Sequence, residues 1–520
     1  MTSTMQDLCR AAAAVGLLIA PAAASVQAPA EPSRNAGYSV PPGDMAHPQN
    51  TNAGIHAFTG FCASCHDART DGAPDRYELN RLTPEQVLAT MTSASHAKYA
   101  APLTEFEKRV IAVYVGGRPL GSSDTGDAAA MPNRCERRPA FEPFTGSNWN
   151  GWGLDTGNSR FQENPGLAVE DIPKLTLKWA FGFPMANSAY GQPIMAGGRV
   201  FVSADTGFVY SLDAASGCVY WSFRANAGVR STPVIGQGAG ADRYLLYFGD
   251  VRANVYAVNA ETGALVWTVR ADTHPLARIT GATTLTGGRL YVPISSLEES
   301  GAGNPKYPCC TFRGGLASYE AQTGKLFWKS YTITEAPMLR GRGTTSRGVN
   351  LYGPAGAAVW SAPTVDLARG RVYVATGNGY VEPTPQGSDS IIAFDLDSGR
   401  RLWVSQVRAD DAYVRDCPGR YRPNVPTTNK SETCPEELGP DVDFGNAPIL
   451  RALSGGGSII ALGQKGGIVW GLDPDRDGEV VWSRLAGHGI DDAADRSCGD
   501  RRPTRAASIR GSRARRRCSA

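Results

Sequence analysis

Beyond about residue 190, apolar and polar positions alternate in short runs such as G-R-V-F-V-S-A, G-R-L-Y-V-P-I and G-R-V-Y-V-A-T. A period of two over so few residues predicts β-strands with one buried face. Between these runs one pattern recurs: Y-S-L-D-A-A-S-G-C-V-Y-W at 210–221, Y-A-V-N-A-E-T-G-A-L-V-W at 256–267, S-Y-E-A-Q-T-G-K-L-F-W at 318–328 and A-F-D-L-D-S-G-R-R-L-W at 393–403. A looser copy, G-L-D-P-D-R-D-G-E-V-V-W, lies at 471–482. In the first four, Asp213, Asn259, Glu320 and Asp395 each stand eight residues before the tryptophan. Each copy reads as a strand, a tight turn whose glycine accepts positive φ, and a second strand ending in tryptophan. Four strands per unit of roughly 45–80 residues describe a propeller blade, the longer units carrying loop insertions.

Before the repeats the period changes. Residues 51–120 carry two helical patterns. One begins L-T-P-E-Q-V-L, with Thr83 as cap and Pro84 in the first turn; the other begins L-T-E-F-E-K-R-V-I-A-V-Y-V, capped by Thr104 and stopped by Gly116-Gly117. The predicted organisation is a signal peptide at 1–28, a small all-α unit at 29–120, a linker at 121–145, the β repeats at 146–487 and an aberrant basic tail at 488–520. The signal-peptide expectation rests on A-A-A-A-V-G-L-L-I-A-P-A-A-A after Arg10, too short to span a bilayer and ending in small residues. It predicts export to the periplasm as a soluble or loosely membrane-associated protein. The tail loses both alternation and tryptophan repeat, which reads as a shifted frame or a truncation that leaves the ring short of its last blades.

Charge narrows the function. The net charge of +3 comes from the tail, where nine Arg oppose four Asp after residue 487; the remainder is near −2. A near-neutral body offers no footprint for nucleic acid. Eleven cysteines suit an oxidising compartment, and Cys417 and Cys434, flanking a Pro-rich loop, are expected to pair. Most informative is F-C-A-S-C-H-D at 61–67. Zinc would need two further ligands, which Cys135 alone does not supply, and a redox dithiol expects a βαβ neighbourhood. Between short helices of an exported chain, C-x-x-C-H reads as a c-type haem site: Cys62 and Cys65 form thioethers and His66 is the axial ligand.

The repeat A-x-D-x-x-T-G-x-x-x-W resembles the tryptophan docking motif of the pyrroloquinoline quinone (PQQ) dehydrogenases. With the C-x-x-C-H unit in front, the chain resembles their quinohaemoprotein branch. That resemblance implies an all-β eight-bladed PQQ-type propeller, apparently incomplete here, preceded by a small all-α cytochrome c domain. It also implies three cofactors: haem c, PQQ and Ca2+. The distal haem ligand is implied to be His96, with Met91 as the alternative. Trp360, in G-P-A-G-A-A-V-W, matches the residue that lies under the quinone. Asn378, in V-A-T-G-N-G, and Glu298, chosen over Glu299 by its spacing from Ser295, match the Ca2+ ligands. Asp389, in G-S-D-S-I-I-A-F-D, matches the catalytic base; Gln192, Arg230, Thr280, Ser295 and Lys465 match groups around the quinone. The adjacent Cys309 and Cys310 depart from the family, some of whose members carry such a pair on an earlier blade. The implied function is oxidation of secondary alcohols, polyvinyl alcohol among them, with electrons leaving through haem c to an external cytochrome c or quinone. A related alcohol or sugar dehydrogenase, and a quinone-free propeller scaffold, are the rival readings.

Overall fold

The computed structural model describes residues 52–122, 126–146, 148–186, 188–419 and 430–487. The expected signal peptide and basic tail lie outside the described residues. No helix among them is long and apolar enough to cross a membrane.

Among the described residues, five antiparallel blades follow one another in chain order, each with its strands paired in sequence order. The first is Ile194–Ala196, Arg199–Ser203, Phe208–Asp213 and Val219–Arg224. The others occupy residues 234–270, 284–331, 364–406 and 449–485. The third gains a short strand, Ala277–Arg278, and is followed by a two-stranded hairpin, Met338–Thr344 with Asn350–Gly353. These are the strands that the alternation predicts.

The repeated turn explains how the blades hold together. Its polar residue closes the turn: Asp213 Oδ1 accepts from the amides of Ala215 and Ser216, Asn259 Oδ1 from Glu261 and Thr262, and Asp395 Oδ1 from Ser398. The tryptophan works on the neighbour. Trp221 Nε1 donates to Ala260 O of the next blade at 3.1 Å, and Trp267 Nε1 to Ala321 O at 3.0 Å. Its ring covers that blade's turn glycine, so a Cβ on Gly399 would stand 2.4 Å from the Trp328 ring. Gly399 also has φ 71°, where an L side chain is strained.

The helical unit forms as its signals predict. Thr83 and Thr104 make reciprocal capping boxes with Gln86 and Glu107, and Gly117, at φ 70°, ends the helix Glu105–Gly116. The helix Asn52–Phe61 lies so close to Glu105–Gly116 that a Cβ on Gly54 would meet Tyr114 Cβ at 2.4 Å. Its other side meets two blade connections: Ile55 packs on Gly301 within the third blade, and buried His56 Nε2 lies 3.0 Å from Asp416 Oδ2, in the connection after the fourth.

The expected linker is partly folded. Its residues 126–145 lie along the first blade, with Phe141 in the core and Cys135 bonded to Cys218, a pairing the sequence did not suggest. Cys417 and Cys434 are paired as expected. Cys309 and Cys310 are joined to each other.

Candidate active site

Loops at blade ends converge on a cavity of about 230 Å³. Of the residues expected around a quinone, Trp360, Arg230, Thr280, Ser295, Lys465 and Asn378 line it together. Trp360 is the organising surface. Gly445 lies against its indole, where a Cβ would be 2.5 Å from the ring, and Lys465 Nζ lies 5.2 Å from the ring centroid. Its Nε1 donates to Asp443 Oδ2 at 3.0 Å. Thr280 and Ser295 hydroxyls bond each other at 2.9 Å.

Three expected residues lie elsewhere. Gln192 is outside the cavity lining, with its side-chain amide donating to Trp152 O at 3.2 Å. Glu298 is fully buried and already saturated: Oε1 accepts from Tyr307 Oη and the Thr311 amide, and Oε2 from the Phe312 amide. Burial alone would raise its pKa, yet His274 and these amides hold it below the usual value. Its neighbour Glu299 lines the cavity instead. The two part because this segment is the short helix Glu298–Gly301, which turns consecutive side chains about 100° apart, so spacing along the chain does not decide which one faces the cavity. Asp389 is also off the lining. Its carboxylate is wholly buried, and neither oxygen has a hydrogen-bond partner. Burial, then Asp411 and Asp443, push its pKa well up.

Glu299 shares the cavity with a second carboxylate, Asp443, held by Trp360 and by an ion pair to Lys465. Lys465 also bonds Asp441 at 2.7 Å. Burial lowers the pKa of the ammonium, but Asp443 and Asp441 outweigh it and hold it charged. Asp441 is pushed up to about 8 by burial and by Asp443. Sequence reasoning missed both aspartates; the alternation in P-D-V-D-F was the available signal, hidden beside the Pro-rich loop.

Positive charge completes the wall. Arg278 and Arg415, also missed, join Arg230 and Lys465. Burial, then Arg230 and Arg252, pull Arg278 down to about 9. An anionic ligand relieves such crowding, and guanidinium groups match carboxylates in shape. Asn378 donates its amide hydrogens to Gly379 O and Tyr413 O, leaving its carbonyl oxygen for another partner. With Glu299 it offers hard oxygens for a cation, although no group of three acidic, His or Cys side chains suited to a metal stands ready among the described residues.

A second candidate centre lies in the helical unit. Cys62 and Cys65 are free thiols, Cys62 at the N-cap of the short helix Ala63–His66 and Cys65 inside it. Burial pushes Cys62 up to about 12. His66 Nδ1 donates to Pro74 O at 2.7 Å, which fixes the tautomer and leaves Nε2 unprotonated and able to ligate a metal. Met91 sits on the buried side of the helix Pro84–Thr92; His96 is half-buried, its Nδ1 3.1 Å from Ser95 Oγ.

Comparison with known proteins places this geometry. Residues 300–430 match the family described as glucose/ethanol/alcohol dehydrogenase, β-propeller domain, and residues 176–347 match that of outer membrane protein assembly factor BamB. A polyvinylalcohol dehydrogenase of Pseudomonas sp. is 39% identical over 455 residues, covering 85% of this chain and 68% of that protein. One from Sphingopyxis sp. (strain 113P3) is 37% identical over 471 residues, covering 88% and 69%. The solved quinohemoprotein alcohol dehydrogenase ADHIIG of Pseudomonas putida HK5 aligns with TM-score 0.49 and 20% identity, covering 65% of this chain and 48% of that one.

Proposed function

The chain belongs to the polyvinylalcohol dehydrogenase family of PQQ-dependent enzymes, and we propose that it oxidises secondary hydroxyls of polyvinyl alcohol to ketones in the periplasm. The observation that carries the proposal is one cavity combining the flat face of Trp360, four cationic side chains and the carboxylate of Asp443. These residues fit a planar, multiply carboxylated quinone. Arg230, Arg278 and Arg415 would hold its carboxylates, and Trp360 would orient its ring. Glu299 and the Asn378 carbonyl would hold Ca2+.

When bound, PQQ supplies a two-electron acceptor for the hydride leaving the carbinol carbon. The chain supplies the proton path. Asp443, pinned by Trp360 Nε1 and Lys465, accepts the hydroxyl proton as that hydride leaves. This gives Asp443 the role that family likeness assigned to Asp389, whose carboxylate does not reach the cavity lining. Cys62 and Cys65 would anchor haem c and His66 Nε2 would ligate its iron; bound there, the haem would supply one-electron transfer to an external cytochrome c or quinone. The match to an assembly factor suits a scaffold equally well by fold. The buried charge cluster favours the enzyme, because a scaffold gains nothing from it.

The test is direct. Protein exported with haem-maturation functions and supplied with PQQ and Ca2+ should reduce an external acceptor when polyvinyl alcohol is added. Covalent haem should persist on a denaturing gel. Quinone binding without alcohol-dependent reduction would overturn the reading.

A further inference from the structure

A second depression, of about 350 Å³, opens beside the cavity and plays no part in the chemistry above. The connection 376–389 between two strands of the fourth blade serves both places, giving Asn378 to the cavity and Val381 to Gly387 to the groove. The hairpin Met338–Thr344 with Asn350–Gly353 leads into its opposite wall. The walls are apolar where Ile333, Pro354, Val381 and Pro385 face inward. Two cations, Arg340 and Arg401, are balanced by two anions, Glu335 and Glu382. Most of these polar groups are engaged elsewhere. Glu382 accepts from the amides of Glu436 and Glu437, and Arg401 donates to Thr332 O. Arg340 Nε donates to Tyr352 O, but its Nη2 is buried without a partner.

We propose that this groove is a holding site for a segment of the polymer substrate, separate from the cavity that takes the reacting hydroxyl; it rests on the polyvinyl-alcohol reading. A cavity of about 230 Å³ is below the ~300–1,000 Å³ of usual ligand pockets and cannot enclose a chain of many repeats. The rest of the chain must therefore cross the surface beside it. A polymer of alternating CH2 and CHOH groups is neutral, so it calls for apolar walls, no net charge and hydrogen-bonding groups. The groove has the first two, and Arg340 in its wall carries an unspent Nη2 that a small turn of the side chain would present to a hydroxyl. An ionic ligand would call for unbalanced charge, which is absent here.

The experiment has two arms. In the first, titration calorimetry on the intact chain, with or without cofactors, measures binding of polyvinyl alcohol and of pentane-2,4-diol. Polymer should bind, and Arg340→Gln should weaken it roughly tenfold. Gln386→Trp, which fills the groove from an exposed position without threatening the fold, should weaken it at least as much. In the second arm, steady-state kinetics of the loaded enzyme should give a raised KM for polymer in both variants, with KM and kcat for the diol unchanged. Unaltered polymer binding in both variants, or KM values for diol and polymer that rise together, would overturn the proposal. A loaded wild type that oxidises neither alcohol would refute the dehydrogenase reading instead, and the binding arm would then decide the groove.

Discussion

Replacing Asp443 by Asn separates the geometry from the family likeness. The change keeps the volume and an oxygen for Trp360 Nε1 but removes the basicity. Loss of a general base costs roughly 10²–10⁴ in turnover, or about 3–5 kcal/mol of transition-state stabilisation. Stability should suffer less than when a buried ion pair is broken, which costs about 3–5 kcal/mol. Lys465 keeps Asp441 at 2.7 Å, so the charge is not stranded, and about 1–3 kcal/mol is expected. Asp389→Asn is the matched control. It replaces a buried carboxyl group whose oxygens have no hydrogen-bond partner, so stability should hold or rise and turnover should stay within about threefold of wild type. The assay is kcat and KM for a small secondary alcohol at saturating PQQ and Ca2+, alongside urea unfolding of each variant. If Asp389→Asn lost more than 10² in kcat while Asp443→Asn lost less than fivefold, the placement of the base argued here would be refuted.

Gly399→Ala should destabilise by about 2–5 kcal/mol, from left-handed strain plus overpacking against Trp328; Gly240→Ala, at φ 58° but with open space around it, should lose only the strain share, and equal urea midpoints would contradict this. The distal haem ligand should be revealed by substitution: a shift in the reduced spectrum with His96→Ala and not with Met91→Leu identifies histidine, and the reverse identifies methionine. Asp441, ordinarily ionised above about 3.8, is raised to about 8, so its neutral form stabilises the fold at low pH and that contribution is lost as pH rises through this window. The urea midpoint of the apo protein should therefore fall between pH 5 and 8, more steeply than in Asp441→Asn; a slope unchanged by the substitution would exclude Asp441 as its source.

Much of the fold was legible because its signals are local. Alternation gave the strands, and the turn with its glycine gave the blade repeat. Thr83, Thr104 and Gly117 marked helix ends by chemistry confined to a few residues. The site was legible where a residue sits in a distinctive short motif, as Trp360, Asn378 and Lys465 do. It was not legible where facing depends on tertiary packing. Glu298 and Glu299 are adjacent, and only the helical twist with the amides of Thr311 and Phe312 decides which is spent internally. Asp389 matched by motif, yet it lies behind the cavity wall. Asp443 and Arg278 arrive from distant strand ends, and the Cys135–Cys218 bridge spans 83 residues. No local pattern announces those meetings.

The direction of tryptophan docking bears on biosynthesis. Trp221 rests on the turn at Gly263, Trp267 on Gly324, Trp328 on Gly399 and Trp403 on Gly478, so every ring waits for a seat encoded later in the chain. A chain that emerges amino end first therefore always carries one unseated indole at its growing front, capped only when the following hairpin closes. Assembly is ratcheted by order of synthesis. Each new blade covers its predecessor's ring, and a pause between two blades would leave a single sticky aromatic exposed rather than a whole unfolded sheet.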